Sequence, residues 1–339
     1  MNKKAFEIQF NWIFVLIAGA VILLFFTVIL VKQKNISEIS AKNNVLKSIE
    51  LIITSASVTI DTTKIENIPN LNVQVECNRV SVGGISKQYQ SLILFAPDTI
   101  MGGKLIWQTM PFNGPYRATN LLYMTGPQVR YILIGNSQLA RQINKSLPSN
   151  LMKEFYEIIP ISIEDKNNYK VKFVVFDNID LNKINLGNLQ NMQDSDVTAV
   201  RVDGDSSHGQ IEFYEKNNFA WDSKGESNYL GISSLIGAVY SDTLEAYECN
   251  MKTIFSKLTL VNSIYKSKTE EMRAEISGKR QDCKNIYENA LIQLTSISRS
   301  SAKLENSLDS NEITKISTAS RELLDKNKEA QRLSCPLIY

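Results

Sequence analysis

Hydrophobic and polar positions divide the chain into three stretches of different period. The first is Trp12 to Val31 (WIFVLIAGAVILLFFTVILV), 20 residues without a charge. A helix of that length spans the roughly 30 Å of a bilayer's hydrocarbon. Trp12 suits an interfacial position, and Lys32 and Lys34 can snorkel at the far end. A cleaved signal peptide has a shorter apolar region, about 7–15 residues, and a small-residue cleavage site close behind it. Here the run ends in VKQKN, so the pattern predicts an uncleaved anchor over residues 1–34. Ile36 to Ser55 keeps helical spacing, with Ile39, Val45, Ile49, Leu51 and Ile52 on one broad face. A helical stalk is therefore expected over 35–55.

In the second stretch strand-like and helix-like pieces alternate. Leu71 to Cys77 (LNVQVEC) has the period of a half-buried strand, and Ser91 to Ala96 and Lys104 to Met110 suggest two more. Arg130–Ile134 reads as a strand leading into a helix over Ser137–Leu147, capped by Asn136 or Ser137. Lys170–Phe176 (KVKFVVF) has the composition of a strand buried on both faces. Val197–Val202 and Gln210–Tyr214 flank DGDSSHG as a hairpin would. This order predicts an α/β domain over 56–235, Rossmann-like with a partly parallel sheet.

From about residue 232 the period becomes helical. No Gly falls between Gly237 and Gly278, and no Pro from there to Pro336. Tyr240, Leu244, Tyr247, Met251, Ile254, Leu258, Val261 and Tyr265 step by four and three, an unbroken heptad seam. After Ser277-Gly278 a second seam runs Cys283, Tyr287, Ala290, Leu294, Ile297, is interrupted at Ser301, and resumes at Leu304 and Leu308. After Asp309-Ser310-Asn311 a third runs Ile313, Ile316, Ser320, Leu323, Asn327, Ala330. Three such helices with short connections predict an antiparallel three-helix coiled-coil bundle over 236–339. The seam tyrosines then belong to the core, and the apolar end Cys335 to Tyr339 is expected to dock.

Composition narrows the function. The chain has 339 residues, 43% hydrophobic and 21% charged, within the globular range. With 37 basic against 35 acidic side chains and a net charge of +2, there is no basic stripe for nucleic acid. Only 15 Gly and 8 Pro favour long elements over many tight turns.

Candidate chemistry is sparse. Gly135, Asn136 and Ser137 stand where a strand turns into a helix, the place of a phosphate-binding turn. The dinucleotide pattern needs a second glycine so that the backbone can approach the pyrophosphate, and Ser137 fills that position, with Ala140 at the third. A Walker motif is absent. His208, the only histidine, sits in a polar turn with no neighbour to orient it, and one histidine excludes a two-histidine metal site. Asp203, Asp205 and Ser207 begin a calcium-loop pattern, but Tyr214 occupies the position of its bidentate acid. The expectation is a chain without a catalytic residue, cofactor or metal.

Four cysteines allow three pairings. Let the three helices run down, up and down from near Ser233, Lys279 and Glu312. The third, of about 21 residues, then covers roughly 30 Å back along the second. Its end near Arg332 comes level with Cys283, with Cys335 just beyond. Cys249 lies between seam positions Tyr247 and Met251, points out of the bundle, and stands near the end of the strand that Cys77 closes. The expected bridges are Cys283–Cys335 and Cys77–Cys249.

Orientation is not set by the flanking lysines, Lys3 and Lys4 on one side and Lys32, Lys34, Lys42 and Lys47 on the other. The even cysteine count and the acceptor triplets Asn35-Ile-Ser37 and Asn144-Lys-Ser146 favour an extracellular C-terminal part. The leader FEIQFNWIFVLIAGAVILLFF and the tail QRLSCPLIY resemble uncharacterised single-pass membrane proteins of small-genome, DPANN-type archaea; that resemblance implies a compartment and no activity. Type IV pilin-like proteins share the basic leader and long apolar helix. They carry a glutamate at the fifth mature position, where cleavage after Ala5 would leave Phe10, with Glu7 out of register. The expected function is a membrane-anchored extracytoplasmic scaffold with an envelope protein partner. The alternatives are a ligand-binding or degenerate enzymatic site near Gly135 and a pilin-like subunit.

Overall fold

The structure, a computed structural model, describes residues 3–89, 92–164, 166–276 and 280–339, with side chains from Trp12 onward. Met1, Asn2, Ser91, the Ser277-Gly278 break and the expected helix start at Lys279 lie outside the described residues. A single helix, α1 (Lys3–Val58), joins the apolar run to the stalk without a break. Its 56 residues extend about 84 Å. It is long and apolar enough to cross a membrane, and none of its most apolar window, mean hydropathy 3.2, is buried among the described residues. The lower end docks instead. Val45, Leu46, Ile49, Ile52 and Ala56 form one narrow buried stripe. Ile39 and Leu51, expected on that face, are exposed: Leu51 falls on the opposite side of the helix, and Ile39 lies more than a turn before Val45, where the docked part begins.

The strands that follow are β1 (Thr63–Asn67), β2 (Val73–Glu76), β3 (Arg79–Val82), β4 (Ile85–Gln88), β5 (Leu94–Phe95), β6 (Thr99–Ile100), β7 (Lys104–Asn113), β8 (Arg117–Thr125) and β9 (Val129–Ile134). Next come α2 (Gln138–Ser146), β10 (Met152–Tyr156), β11 (Lys170–Val175), β12 (Val197–Gly204), β13 (His208–Asn217) and β14 (Ala220–Leu230). Four helices end the chain: α3 (Gly231–Tyr240), α4 (Leu244–Glu275), α5 (Gln281–Leu304) and α6 (Ser310–Arg332).

These elements make a mixed α/β architecture with three sheets, ordered β1-β7-β8-β5, β4-β3-β2-β6 and β10-β9-β11-β12-β13-β14. In the last sheet β10, β9, β11 and β12 are parallel, and β13 and β14 antiparallel. Side-chain alternation along the strands separates the cores. Leu122 and Met124 of β8 face α1 and the small sheet, while Leu121 and Tyr123 face α3 and α4. Across that helical layer lies the six-stranded sheet. Its far face, Val171, Phe173 and Val175 with Ile132 and Ile134, is covered by Leu181, Ile184, Leu186 and Leu189 from short 3-10 turns. A helix crosses from β9 to β10, but the β11–β12 crossover uses these turns in its place.

Strands β8, β10 and β14 and the β3–β4 hairpin had no sequence signal. β14 is mostly polar and half-exposed, and its pairing with β13 along the sheet edge holds it.

The seam expected to run unbroken from Tyr240 is interrupted. α3 stops at Tyr240, and Thr243 caps a new helix by accepting from Ala246 N at 3.2 Å. From Ser233 to Tyr240 every residue of α3 is buried between the sheets, so this helix, which runs across residue 235, belongs to the α/β core. A Cβ on Gly237 would meet the Phe95 ring at 2.7 Å, which shows how closely α3 approaches β5.

α5 packs against both α4 and α6, antiparallel to each. Thr259 on α4 meets Ser301 on α5, and Asn262 donates to Leu294 O further back. Ser300 meets Glu312 at one end of the α5–α6 pair, and Tyr287 donates to Pro336 O at the other. The second seam is buried from Cys283 to Leu308, Ser301 included, because the Ser301 hydroxyl donates to Ile297 O. The C-terminal end docks as well: Ile338 is buried, Lys268 donates to Leu337 O and Ile338 O, and Tyr339 packs edge-on to Tyr116.

Candidate functional site

The turn after β9 has the backbone of an anion site. Gly135 has φ +150°, and a Cβ there would lie 2.7 Å from Phe176 Cβ. Asn136 and Ser137 point their N–H groups out of the first turn of α2, and Ser137 caps the helix by accepting from Ala140 N at 3.2 Å. The position a phosphate would take is filled by Asp177, which follows the neighbouring strand β11. Its Oδ2 accepts from Asn136 N at 2.6 Å and from Ser137 N at 3.0 Å. Burial alone would raise the Asp177 pKa, but the hydrogen bonds from Asn136 and Ser137 outweigh it and hold the carboxyl below its usual value. A fixed carboxylate both uses the donors and repels a second anion.

The DGDSSHG segment is the hairpin turn between β12 and β13. Asp205 Oδ1 accepts from Ser207 N at 2.7 Å, Ser207 Oγ at 2.6 Å and His208 N at 3.2 Å, closing the turn on itself. Ser207 Oγ lies 2.8 Å from His208 Nδ1. In a catalytic triad the acid sits on the imidazole nitrogen away from the serine. Here Asp205 and Ser207 share one side of the ring, and Ser207 gives its proton to Asp205. Asp203 pairs with Gln210 in the ladder. Among the described residues no group of three or more His, Cys, Asp or Glu could hold a metal ion.

Sequence reasoning missed the charged interior of the six-stranded sheet. Lys170 and Lys172, two apart on β11, share the face toward α3. The Lys170 amine meets Asp98 and Asp242. Burial opposes its charge, yet the two carboxylates push its pKa up to about 12. Asp242, which is itself buried, is raised. Among the described residues, Lys172 has no carboxylate in contact. Its amine donates to Ser241 O at 2.7 Å, stands 4.9 Å over the Phe213 ring, and is pushed down to about 8 by burial. Next along the sheet, Arg130 is fully buried and holds Glu154 through two hydrogen bonds, at 2.8 and 2.9 Å. Burial raises the Glu154 pKa, but Arg130, Lys166 and Tyr156 together bring it down to about 2. The available signal was two lysines at i and i+2 within an apolar run: one strand face carrying two charges needs partners if it is buried.

The cysteines come together as Cys77 with Cys249 and Cys283 with Cys335, the two expected pairs, with Cα separations of 6.0 and 5.8 Å. The first ties the small sheet to α4, and the second ties the chain end to the start of α5.

An open cavity among the described residues lies away from all of these candidates. It is a groove of about 930 Å³ bounded by the lower end of α1, the outer part of β8 and α4. Comparison with protein-family models, curated proteins and solved structures finds no match for this chain.

Proposed function

We propose that this protein is a membrane-anchored, non-enzymatic interaction protein whose globular part stands outside the cytoplasm and meets a protein partner in the envelope. The observation that carries the reading is the Asp177 carboxylate on the Asn136 and Ser137 N–H groups, which takes up the one turn suited to a small anionic ligand. The open groove bounded by α1, β8 and α4 is instead the surface this reading assigns to the partner. We read the β9–α2–β10 unit as a Rossmann-like core whose ligand turn has become structural. The three last helices are then an antiparallel coiled-coil layer that stiffens it. Two disulfides support an oxidising compartment, since cytosolic thiols are kept reduced.

The test is non-reducing peptide mapping of protein purified from membranes, with a membrane-impermeant maleimide applied to intact cells after mild reduction. Both bridges, and labelling from outside, are expected. Four free thiols, or thiols reached only after lysis, would overturn the placement. Micromolar binding of ATP or NAD that is lost in Gly135→Val would overturn the non-enzymatic reading.

A further inference from the structure

Resting on that interaction reading, we propose that the Cys77–Cys249 bridge is a covalent docking point: a cysteine of the partner protein, set among basic residues, attacks Cys249 and is held there as a mixed disulfide. The two bridges differ in access. Cys283 and Cys335 are 2% and 6% exposed, packed between the start of α5 and the chain end. Cys77 and Cys249 are each half-buried, and each lines an open cleft. Local structure puts them there. Cys77 and Asn78 form the turn of the β2–β3 hairpin, with Asn78 at φ +57°, so Cys77 stands at a hairpin tip. On α4, Tyr247 and Met251 are fully buried on either side of Cys249, which therefore faces out of the core.

The surroundings of the bridge are acidic. A cleft of about 610 Å³ opens on Cys249 and a smaller one of about 230 Å³ on Cys77. Glu245, Glu248 and Glu305 line the first, and Glu76, Asp98 and Asp242 the second. Among the described residues three cations pair with this ring: Lys252 with Glu248 at 3.6 Å, Arg79 with Glu76, and Lys170 with both aspartates. Six carboxylates thus face three cations, and the ring stays negative even with buried Asp242 protonated. In the exchange a thiolate attacks Cys249 Sγ, the S–S electron pair leaves on Cys77 Sγ, and Cys77 takes up a proton as a free thiol. One disulfide is consumed and one is formed, so no outside oxidant enters. The attacking thiolate and the transition state are both anionic. The ring therefore repels small anionic thiols and admits one whose neighbours are cationic. The wider cleft makes Cys249 the sulfur attacked. Thr253 of that cleft and Lys257 of the groove are one turn apart on α4, so one partner can cover both.

The experiment uses the full chain in nanodiscs, both bridges closed, and two amidated peptides, Lys-Lys-Cys-Lys-Lys and Glu-Glu-Cys-Glu-Glu. Capture is read by mass mapping after acid quenching. Rates are taken per thiolate, relative to the same peptides acting on oxidised mercaptoethanol. The lysine peptide should be captured on Cys249, with Cys77 freed, at least about tenfold faster than the glutamate peptide, as unit charges a few Å apart in water require. Glu245→Gln combined with Glu248→Gln, checked for an unchanged melting temperature, should narrow that preference at least about threefold, and so should salt at about 0.5 M. A preference that neither of these narrows would overturn charge as the selector, and with it the proposal. Capture on Cys77, or earlier opening of Cys283–Cys335, would overturn it as well. Equal rates, or no capture, in a chain whose cysteines label from outside would overturn this site and leave the anchored reading standing. Preference for the lysine peptide in a chain labelled only after lysis would do the reverse.

Discussion

The six-stranded sheet and the C-terminal helices bury comparable numbers of apolar side chains but treat charge in opposite ways. Between α4, α5 and α6 the interior is an apolar ladder, with small polar groups such as Asn262 and Ser301 satisfied by neighbouring backbone carbonyls. The sheet instead holds Arg130, Lys170 and Lys172 in its interior, each at most 3% exposed. The helices therefore draw most of their stability from packing, which is insensitive to pH; the exception is Glu312 at the start of α6, which is buried against Ser300 and meets Lys303 and Lys315. The sheet's stability depends on ion pairs, whose removal one partner at a time is more costly than never having had them. Arg130 on Glu154 also holds strand β10 to β9 in a single register.

The contrast can be broken most forcefully at Glu154. Glu154→Ala leaves a buried guanidinium without its carboxylate and should cost about 3–5 kcal/mol in denaturant melts. In the unaltered protein the Glu154 pKa is depressed, so its contribution is complete above the unfolded value near 4.5 and is lost as pH falls toward about 2. If Glu154→Ala melts like the parent at pH 6, the ion pair does not sustain the sheet. On the helical side, Leu258→Ala should cost about 2–5 kcal/mol, independent of pH, against less than about 0.5 kcal/mol for the surface change Lys266→Ala. Equal effects would remove the packed ladder.

Replacing Cys283 and Cys335 together by Ser should cost about 2–4 kcal/mol, because the bridge closes a loop of 52 residues in the unfolded chain. Reductant, which opens both bridges, should cost the parent more than that and do less to the double variant, which retains only the Cys77–Cys249 bridge.

The smallest effect sharpens the comparison most. Lys172 has a depressed pKa, about 8 folded against the ordinary 10.5, so between those values the unfolded chain binds the extra proton. Stability should therefore rise with pH from 8, by on the order of 2 kcal/mol before the unfolded lysine also titrates. Lys172→Met should abolish that rise. A parent whose stability is flat between pH 8 and 9.5 would mean that Lys172 is solvated.

How much of this was legible follows from the range of each interaction. The apolar run and the 3–4 steps from Leu244 onward are local patterns, and the long helix and the buried seams match them. β11 was legible as a buried strand, but its two lysines were passed over because apolar content dominates a short window. The partners of Lys170, Asp98 and Asp242, lie 72 residues away on either side. The break at Ser241–Thr243 also escaped the heptad count, since Tyr240 and Leu244 keep the step of four across it. The Gly135 turn was judged by its missing glycine. Asp177, which fills it, stands 41 residues on, and no spacing rule connects the two.

By itself, then, the sequence determined the elements whose signal repeats every few residues: the apolar helix, its helical continuation as a stalk, the C-terminal helices and the hairpin turn of DGDSSHG. It also placed the cysteines, because helix rise converts residue counts into distances. Only the tertiary structure decided which groups answer one another across the fold, Asp177 at the helix start, Asp242 at Lys170, Glu154 at Arg130. Hydrogen bonds and ion pairs act over about 3 Å in space, and the chain brings such partners together from positions that periodicity along the sequence does not relate.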